Sequence, residues 1–316
     1  MANAATTVSK DASDKAKPRK LKQGSYKSFT LQKRIRTAAP IPGAFHLFWN
    51  GLQVLRRHWV VFSGIVLVYA LLNVLLVQGI NSVGNLEEAK QTVTEAYGDQ
   101  LNGIGFGVTL FAHLVSTSGS ALSPAAGAYQ LILALIMSIV LIWTLREVYA
   151  GHKVRIRDGF YKGVYPLVTF VLVLCVIALQ LLPLLFGGML YNLVAANGIA
   201  ITGMEQILWV ALFFFFSLIS LYMMSSSLFA LYIVCLPGMT PIRALSSARE
   251  LVRNRRWTVM RKVIFLPIAL LVIAAVIIVP LILLAAPLAV WVFFILSMCS
   301  LAVIHSYLYA LYRSLL

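Results

Sequence analysis

The sequence predicts an all-α fold: a polytopic membrane protein with six transmembrane helices, built as three repeats of an amphipathic interfacial helix followed by a helical hairpin. Three observations carry that prediction. First, the 316 residues are 60% hydrophobic and only 11% charged, with a mean hydropathy of +0.88. A soluble chain carries roughly 45–50% apolar and about 25% charged residues. Second, the apolar residues gather in uncharged runs long enough to cross a hydrocarbon core of ~30 Å. Third, 25 of the 26 Lys and Arg residues fall in segments that six alternating spans would place on one face.

The balance of 26 basic against 10 acidic residues gives a net charge of +16. Such a charge suits either a nucleic-acid binder or a membrane protein with a basic face, and the apolar runs select the second. Cys175, Cys235 and Cys299 each lie inside an apolar run. Three thiols in such places read as packing residues and not as a disulfide framework.

Residues 1–40 open the chain as a disordered basic cytoplasmic tail. Ten Lys and Arg side chains within its first 36 residues face only Asp11 and Asp14, and too few apolar residues are present for a core. No apolar stretch follows its charges as a cleavable signal peptide would require. The expected role is an orientation-setting tail on anionic lipid. The KPRKLK run lacks the aromatic interleaving of a nucleic-acid site, so nucleic acid is not an expected partner.

The domain of 41–316 follows. Phe45, Phe48, Trp49, Leu52 and Leu55 share one helical face, opposite His46, Asn50, Gln53 and Arg57, as in a helix lying in the membrane interface. Trp59 marks the lipid boundary, and residues 59–80 form the first span. The loop 81–125 is expected to be extracytoplasmic. Within it, Asn85 and Glu88 have capping-box spacing for a helix running to about Leu101. Phe106 to Ser116 would reach only about 17 Å as helix, so it reads as an interfacial or re-entrant segment.

Residues 126–145 supply the second span, closed by Arg146 and Glu147. The basic segment GHKVRIRDGFYKGVYP leads to the third span at 165–186, and Gly187, Gly188 and residues 192–203 read as a polar break. Residues 207–236 form the fourth span, with Glu205 at its start. Next, Ala244, Leu245, Ala248, Leu251 and Val252 oppose Arg243, Ser246, Ser247, Glu250 and Arg253 on a second clear amphipathic helix. Asn254 suits its turn because it tolerates positive φ. Val263 to Tyr312 carries no formal charge and is far longer than one crossing needs. It reads as a hairpin with spans at 263–279 and 288–310 and a turn near Pro280 to Pro287.

Spans at these positions put every basic residue except Lys90 on one side. The positive-inside rule then makes both termini cytoplasmic in the cell membrane. No ionisable residue sits inside a span away from its ends, where an ion-coupled transporter would keep one. The five histidines show no metal-ligand spacing, and HEXXH, P-loop and GxSxG motifs are absent. GIGFG lacks the strand and the spacing of a dinucleotide site. The expectation is a non-enzymatic chain without cofactor or metal.

What remains is surface chemistry. Arg253, Arg255, Arg256, Trp257, Arg261 and Lys262 cluster where the second amphipathic helix meets a span. They are the expected contacts for anionic lipid headgroups, at about 1 kcal/mol for each basic group near the surface. The run TPIRALSSARELVRNRRWTVM and its counterpart VRIRDGFYKGVYP resemble polytopic bacterial families that include the membrane domain accompanying glycerophosphodiester phosphodiesterases. No phosphodiesterase catalytic domain follows, so the resemblance implies an architecture and not an activity. The resulting expectation is a scaffold or lipid-organising component of the cell envelope whose partners are anionic lipid and a membrane protein or a second copy. The alternative is a permease or channel subunit with a path past Asn73, Gln180 and the serines Ser217, Ser220 and Ser225 to Ser227.

Overall fold

A backbone inside hydrocarbon must satisfy its own N–H and C=O groups, and a helix does so within one segment. The computed structural model describes residues 41–77, 90–91, 93–94, 103–117, 123–198 and 202–316. Among them every regular element is helical. The tail of residues 1–40 and the Asn85–Glu88 cap lie outside the described residues, as does most of the helix expected to follow that cap.

The elements are α1 (Ala44–Arg57), α2 (Trp59–Leu72) with a π-helical turn at Asn73–Val77, α3 (Ile104–Thr117), α4 (Pro124–Tyr149), α5 (Ile156–Gly163) and α6 (Leu167–Gln180). They continue as α7 (Leu182–Ala196), α8 (Gly203–Ser227), α9 (Ala230–Val234), α10 (Pro241–Val252), α11 (Arg256–Leu284) and α12 (Ala286–Leu315). Five stretches are long and apolar enough to cross a membrane: Trp59–Val77, Pro124–Tyr149, Gly203–Val234, Arg256–Leu284 and Pro287–Leu315. The pair α5 and α6, bent by 75°, makes a sixth if it is taken as one span.

Helix ends follow local chemistry. Ser123 caps α4 by accepting from the Ala126 N–H, with Pro124 at the first helical position. Thr202 and Glu205 form a reciprocal capping box at the start of α8. Glu205, read from the sequence at the start of the fourth span, therefore holds a helix end. At the other end of α8, the hydroxyls of Ser225 and Ser226 bond the carbonyls of Tyr222 and Met223. Such back-bonding bends helices, and α8 breaks at 228–229 before resuming as α9.

Three boundaries differ from expectation. The third apolar run does not continue as one helix from 165 to 186: α6 stops at Gln180 and α7 starts at Leu182. Pro183 lies in the first turn of α7 and removes the N–H that would have continued the ladder. Gly187 and Gly188 do not break the chain; they lie inside α7, where a Cβ on Gly187 would come 3.0 Å from Phe216 Cβ. Bare glycine there lets α7 approach α8 closely. The last hairpin turns at Ala285, within the expected Pro280 to Pro287, but α11 runs on to Leu284 instead of ending at 279 and carries both Pro267 and Pro280 inside it.

The ends of the bundle are distinct. At one end, Gly51 of α1 meets Ser306 and Tyr307 of α12, and Gly159 and Gly163 of α5 meet Val140, Trp143 and Thr144 of α4. Tyr149 of α4 packs on Tyr309 of α12, and Tyr232 of α9 stacks on Tyr312. This end therefore collects the starts of α2, α6 and α11 and the finishes of α4, α9 and α12. Toward the other end, Leu110 and Phe111 of α3 pack with Val93 and with Ile278, Val279 and Ile282 of α11. Fourteen residues of α3 reach about 21 Å as helix, short of a crossing.

Candidate functional site

The amphipathic segments read from the sequence are helices, and each docks through its small residues. Gly51 in α1, Gly159 and Gly163 in α5, and Ala244 and Ala248 in α10 are all buried. Small side chains at these positions let helix backbones come close. The opposite faces carry the charge: Arg56, Arg57, Arg155, Arg157, Lys162, Arg243, Arg249 and Arg253 are exposed. Among the described residues, every Lys and Arg except Lys90 belongs to this end of the bundle, which is called the basic end below.

The six expected headgroup residues surround the turn between α10 and α11. Arg253 and Arg261 are exposed, and the Trp257 indole is 62% exposed, so all three are open to the surroundings. Arg255 is half-buried. Arg256 lies over the Tyr222 ring of α8, 5.1 Å from its centroid, a cation–π contact that fixes the guanidinium against the bundle. Arg253 and Arg255 flank Asn254 with φ of −46° and −136°, so neither neighbour is left-handed.

Lys262 departs from expectation. It is 7% exposed, and its ammonium donates to the carbonyls of Ile41 and Pro42, just ahead of α1. Those carbonyls take the place of water around a buried cation. Lys262 therefore ties the start of α1 to the start of α11 and is withdrawn from the surface. Its own backbone carbonyl accepts from the Tyr307 hydroxyl at 2.9 Å.

The last turns of α12 form the hub of the basic end. All eight residues from His305 to Tyr312 are buried. Ser306 donates to the Gly51 carbonyl at 2.9 Å, and Tyr232 and His305 form a buried hydrogen-bonded pair at 3.1 Å. Arg313, the first exposed residue after this run, lies over the Tyr149 ring at 4.7 Å. The sequence marks this stretch only by the spacing of its tyrosines, a pattern that an interfacial aromatic belt would share.

A second fixed cation closes α4. Arg146 donates through Nη1 to the Cys235 carbonyl at 2.9 Å, and through Nε and Nη2 to Glu147 Oε1 at 3.3 and 3.1 Å. The other Glu147 oxygen meets His152 Nδ1 at 2.8 Å. The pair Arg146 and Glu147, read from the sequence as the close of the second span, thus locks α4 onto the end of α9.

The residues of the alternative path are placed differently. Ser220 donates to the Gln180 carbonyl of α6, and Ser225 and Ser226 bond within their own helix. Asn73 is 1% exposed in the π-helical turn of α2. The buried core includes Met137, Ile139, Leu141, Phe170 and Phe229. Among the described residues no three His, Cys, Asp or Glu side chains gather as a metal site requires. No family model matches this chain, and no curated protein or solved structure is significantly similar to it.

Proposed function

We propose that this multi-pass membrane protein is a non-enzymatic scaffold that organises anionic lipid at the cytoplasmic leaflet of the cell membrane through its basic end. One observation supports the reading above others: three amphipathic helices from distant parts of the sequence dock at the same end with their basic faces outward. Arg157, Arg253 and Arg261 are the exposed contacts, with Trp257 at the lipid boundary. Each of α1, α5 and α10 feeds directly into an apolar helix, so one interfacial-helix-and-hairpin unit used three times is part of the proposal. So is kinship with the membrane domain that accompanies bacterial glycerophosphodiester phosphodiesterases, which rests on the α10–α11 stretch.

A permease path past Asn73, Gln180 and the α8 serines has less support, because Ser220, Ser225 and Ser226 spend their hydroxyls on backbone carbonyls.

Extraction of the full-length protein with its surrounding lipid in polymer nanodiscs tests the reading. Anionic lipid should exceed its share of the bulk membrane. The triple variant Arg157→Gln, Arg253→Gln, Arg261→Gln should bring the ratio back toward bulk, since each exposed cation contributes about 1 kcal/mol of attraction. A wild-type ratio equal to bulk would overturn the proposal.

A further inference from the structure

The geometry points to one discrete binding site for a phosphate-bearing anionic phospholipid, in a recess between α4, the bend of α5 into α6, and the turn that joins α9 to α10. The inference rests on the proposed lipid-facing role and deepens it, because it moves the specific site away from the α10–α11 arginines. The recess holds about 830 Å³, within the roughly 300–1,000 Å³ typical of ligand sites. Arg146 and Lys162 supply its charge; Trp143 and Val168 supply apolar wall; Cys235 to Gly238 form the opposite side. Gly238 sits at φ +75°, a left-handed conformation that lets the chain turn away there.

The two cations are prepared differently. Arg146 is held by the Cys235 carbonyl and by Glu147, and its side chain keeps 29% exposure. Glu147 is not among the lining residues, and neither is any other acid. Lys162 is exposed and has no hydrogen bond or ion pair to other described residues, so it brings an uncompensated charge to the rim. Arg146, its charge balanced by Glu147, brings donors fixed in advance, and Lys162 brings an unpaired positive charge, a combination that suits a phosphate oxygen pair.

The surroundings argue for a lipid over a soluble anion. The recess lies where α4 acquires its first charges and where α6 begins its apolar course. Val168, the second residue of α6, is 70% exposed and continues the recess onto the apolar outer wall. A ligand charged at one end and apolar at the other matches both walls at once.

Native mass spectrometry of the delipidated full-length protein in detergent tests this, with phosphatidylglycerol, phosphatidylcholine and inorganic phosphate as separate probes. One phosphatidylglycerol should be retained in preference to phosphatidylcholine. Lys162→Gln should weaken it about fivefold, the value of one basic contact at a membrane surface. Val168→Trp, which fills the membrane-side mouth, should weaken it without touching either cation. These two variants avoid Arg146, whose loss would also free α4 from α9.

Equal retention of the two lipids would overturn the proposal, as would wild-type affinity in Lys162→Gln. Displacement of phosphatidylglycerol by low-millimolar inorganic phosphate would assign the recess to a free anion and overturn the lipid source. Because Arg157 lies over the ring of the recess residue Tyr161, the double variant Arg253→Gln, Arg261→Gln is the one that should leave this single lipid in place. Bulk-like nanodisc lipid together with a Lys162-dependent bound lipid would therefore defeat the collar and spare the recess, and the reverse pattern would do the opposite.

Discussion

Helix α8 and the last turns of α12 belong to spans that are almost equally apolar, with mean hydropathy of 2.3 and 2.4, yet these two regions have opposite surroundings. In α8, Phe214 and Phe215 are 61% and 59% exposed, while Ser220, Ser225, Ser226 and Ser227 are buried. In the last turns of α12, every residue from His305 to Tyr312 is enclosed, tyrosine rings included. Lipid is as apolar as leucine, so large side chains gain little by turning inward from it. Helix contacts are instead made by small residues and by the hydrogen bonds they bring. The α8 pattern follows that rule. The α12 pattern resembles a water-soluble core, as befits a segment enclosed by α1 and by the ends of α4 and α9.

If that contrast holds, truncation should be costly in one helix and nearly free in the other. Tyr307→Ala removes a fully buried ring and its bond to the Lys262 carbonyl. The expected loss is roughly 3–5 kcal/mol, as for other buried aromatics. Phe215→Ala should stay within about 0.5 kcal/mol of wild type. Denaturant titration of the folded protein in mixed micelles reads both, and equal losses would erase the distinction.

A smaller effect is expected from filling the contact between α1 and α12. A Cβ on Gly51 would lie 3.2 Å from Ser306 Oγ and 3.3 Å from the Tyr307 amide, so Gly51→Leu should cost roughly 1–3 kcal/mol. Gly188→Ala is the control, since its nearest new neighbour is at 3.7 Å and no loss is expected. Thermal unfolding of the two variants side by side checks the difference.

Next in size, Tyr232→Phe deletes the hydroxyl shared with His305 and should lower stability by about 1 kcal/mol. Smallest is Ser220→Ala in α8, which loses one bond to the Gln180 carbonyl and should cost about 0.6 kcal/mol, the average for such bonds between membrane helices. A larger loss at Ser220 than at Tyr232 would mean that the polar contacts of α8 matter more than the enclosed end of α12.

The apolar runs and the amphipathic faces of α1, α5 and α10 were legible because each depends on residues within three or four positions of one another. Prolines were less so. Pro183 starts a new helix after Gln180, whereas Pro267 and Pro280 are carried inside α11. Neighbouring helices decide whether the freed carbonyl finds another partner, and no local window contains them. Glycines were ambiguous for the same reason, since Gly187 reads as a breaker until Phe216, 29 positions later, is seen against it.

The site divided along similar lines. Five of the six residues expected to meet headgroups lie at least partly open, but Lys262 is claimed by carbonyls more than 200 positions earlier in the chain. The recess beside Arg146 draws on three separated segments, none of which carries a motif of its own.

The bond from Ser306 to Gly51 joins residues 255 positions apart. During synthesis, α1 and α2 emerge long before the helix that receives them exists. At about 5–20 residues per second, the first interfacial helix waits roughly 10–50 s for its partner. Through that interval its small-residue face has no place in the protein, and lipid or the insertion machinery must cover it. The contact between α1 and α12 is thus timed by the ribosome, because α12 leaves it long after α1.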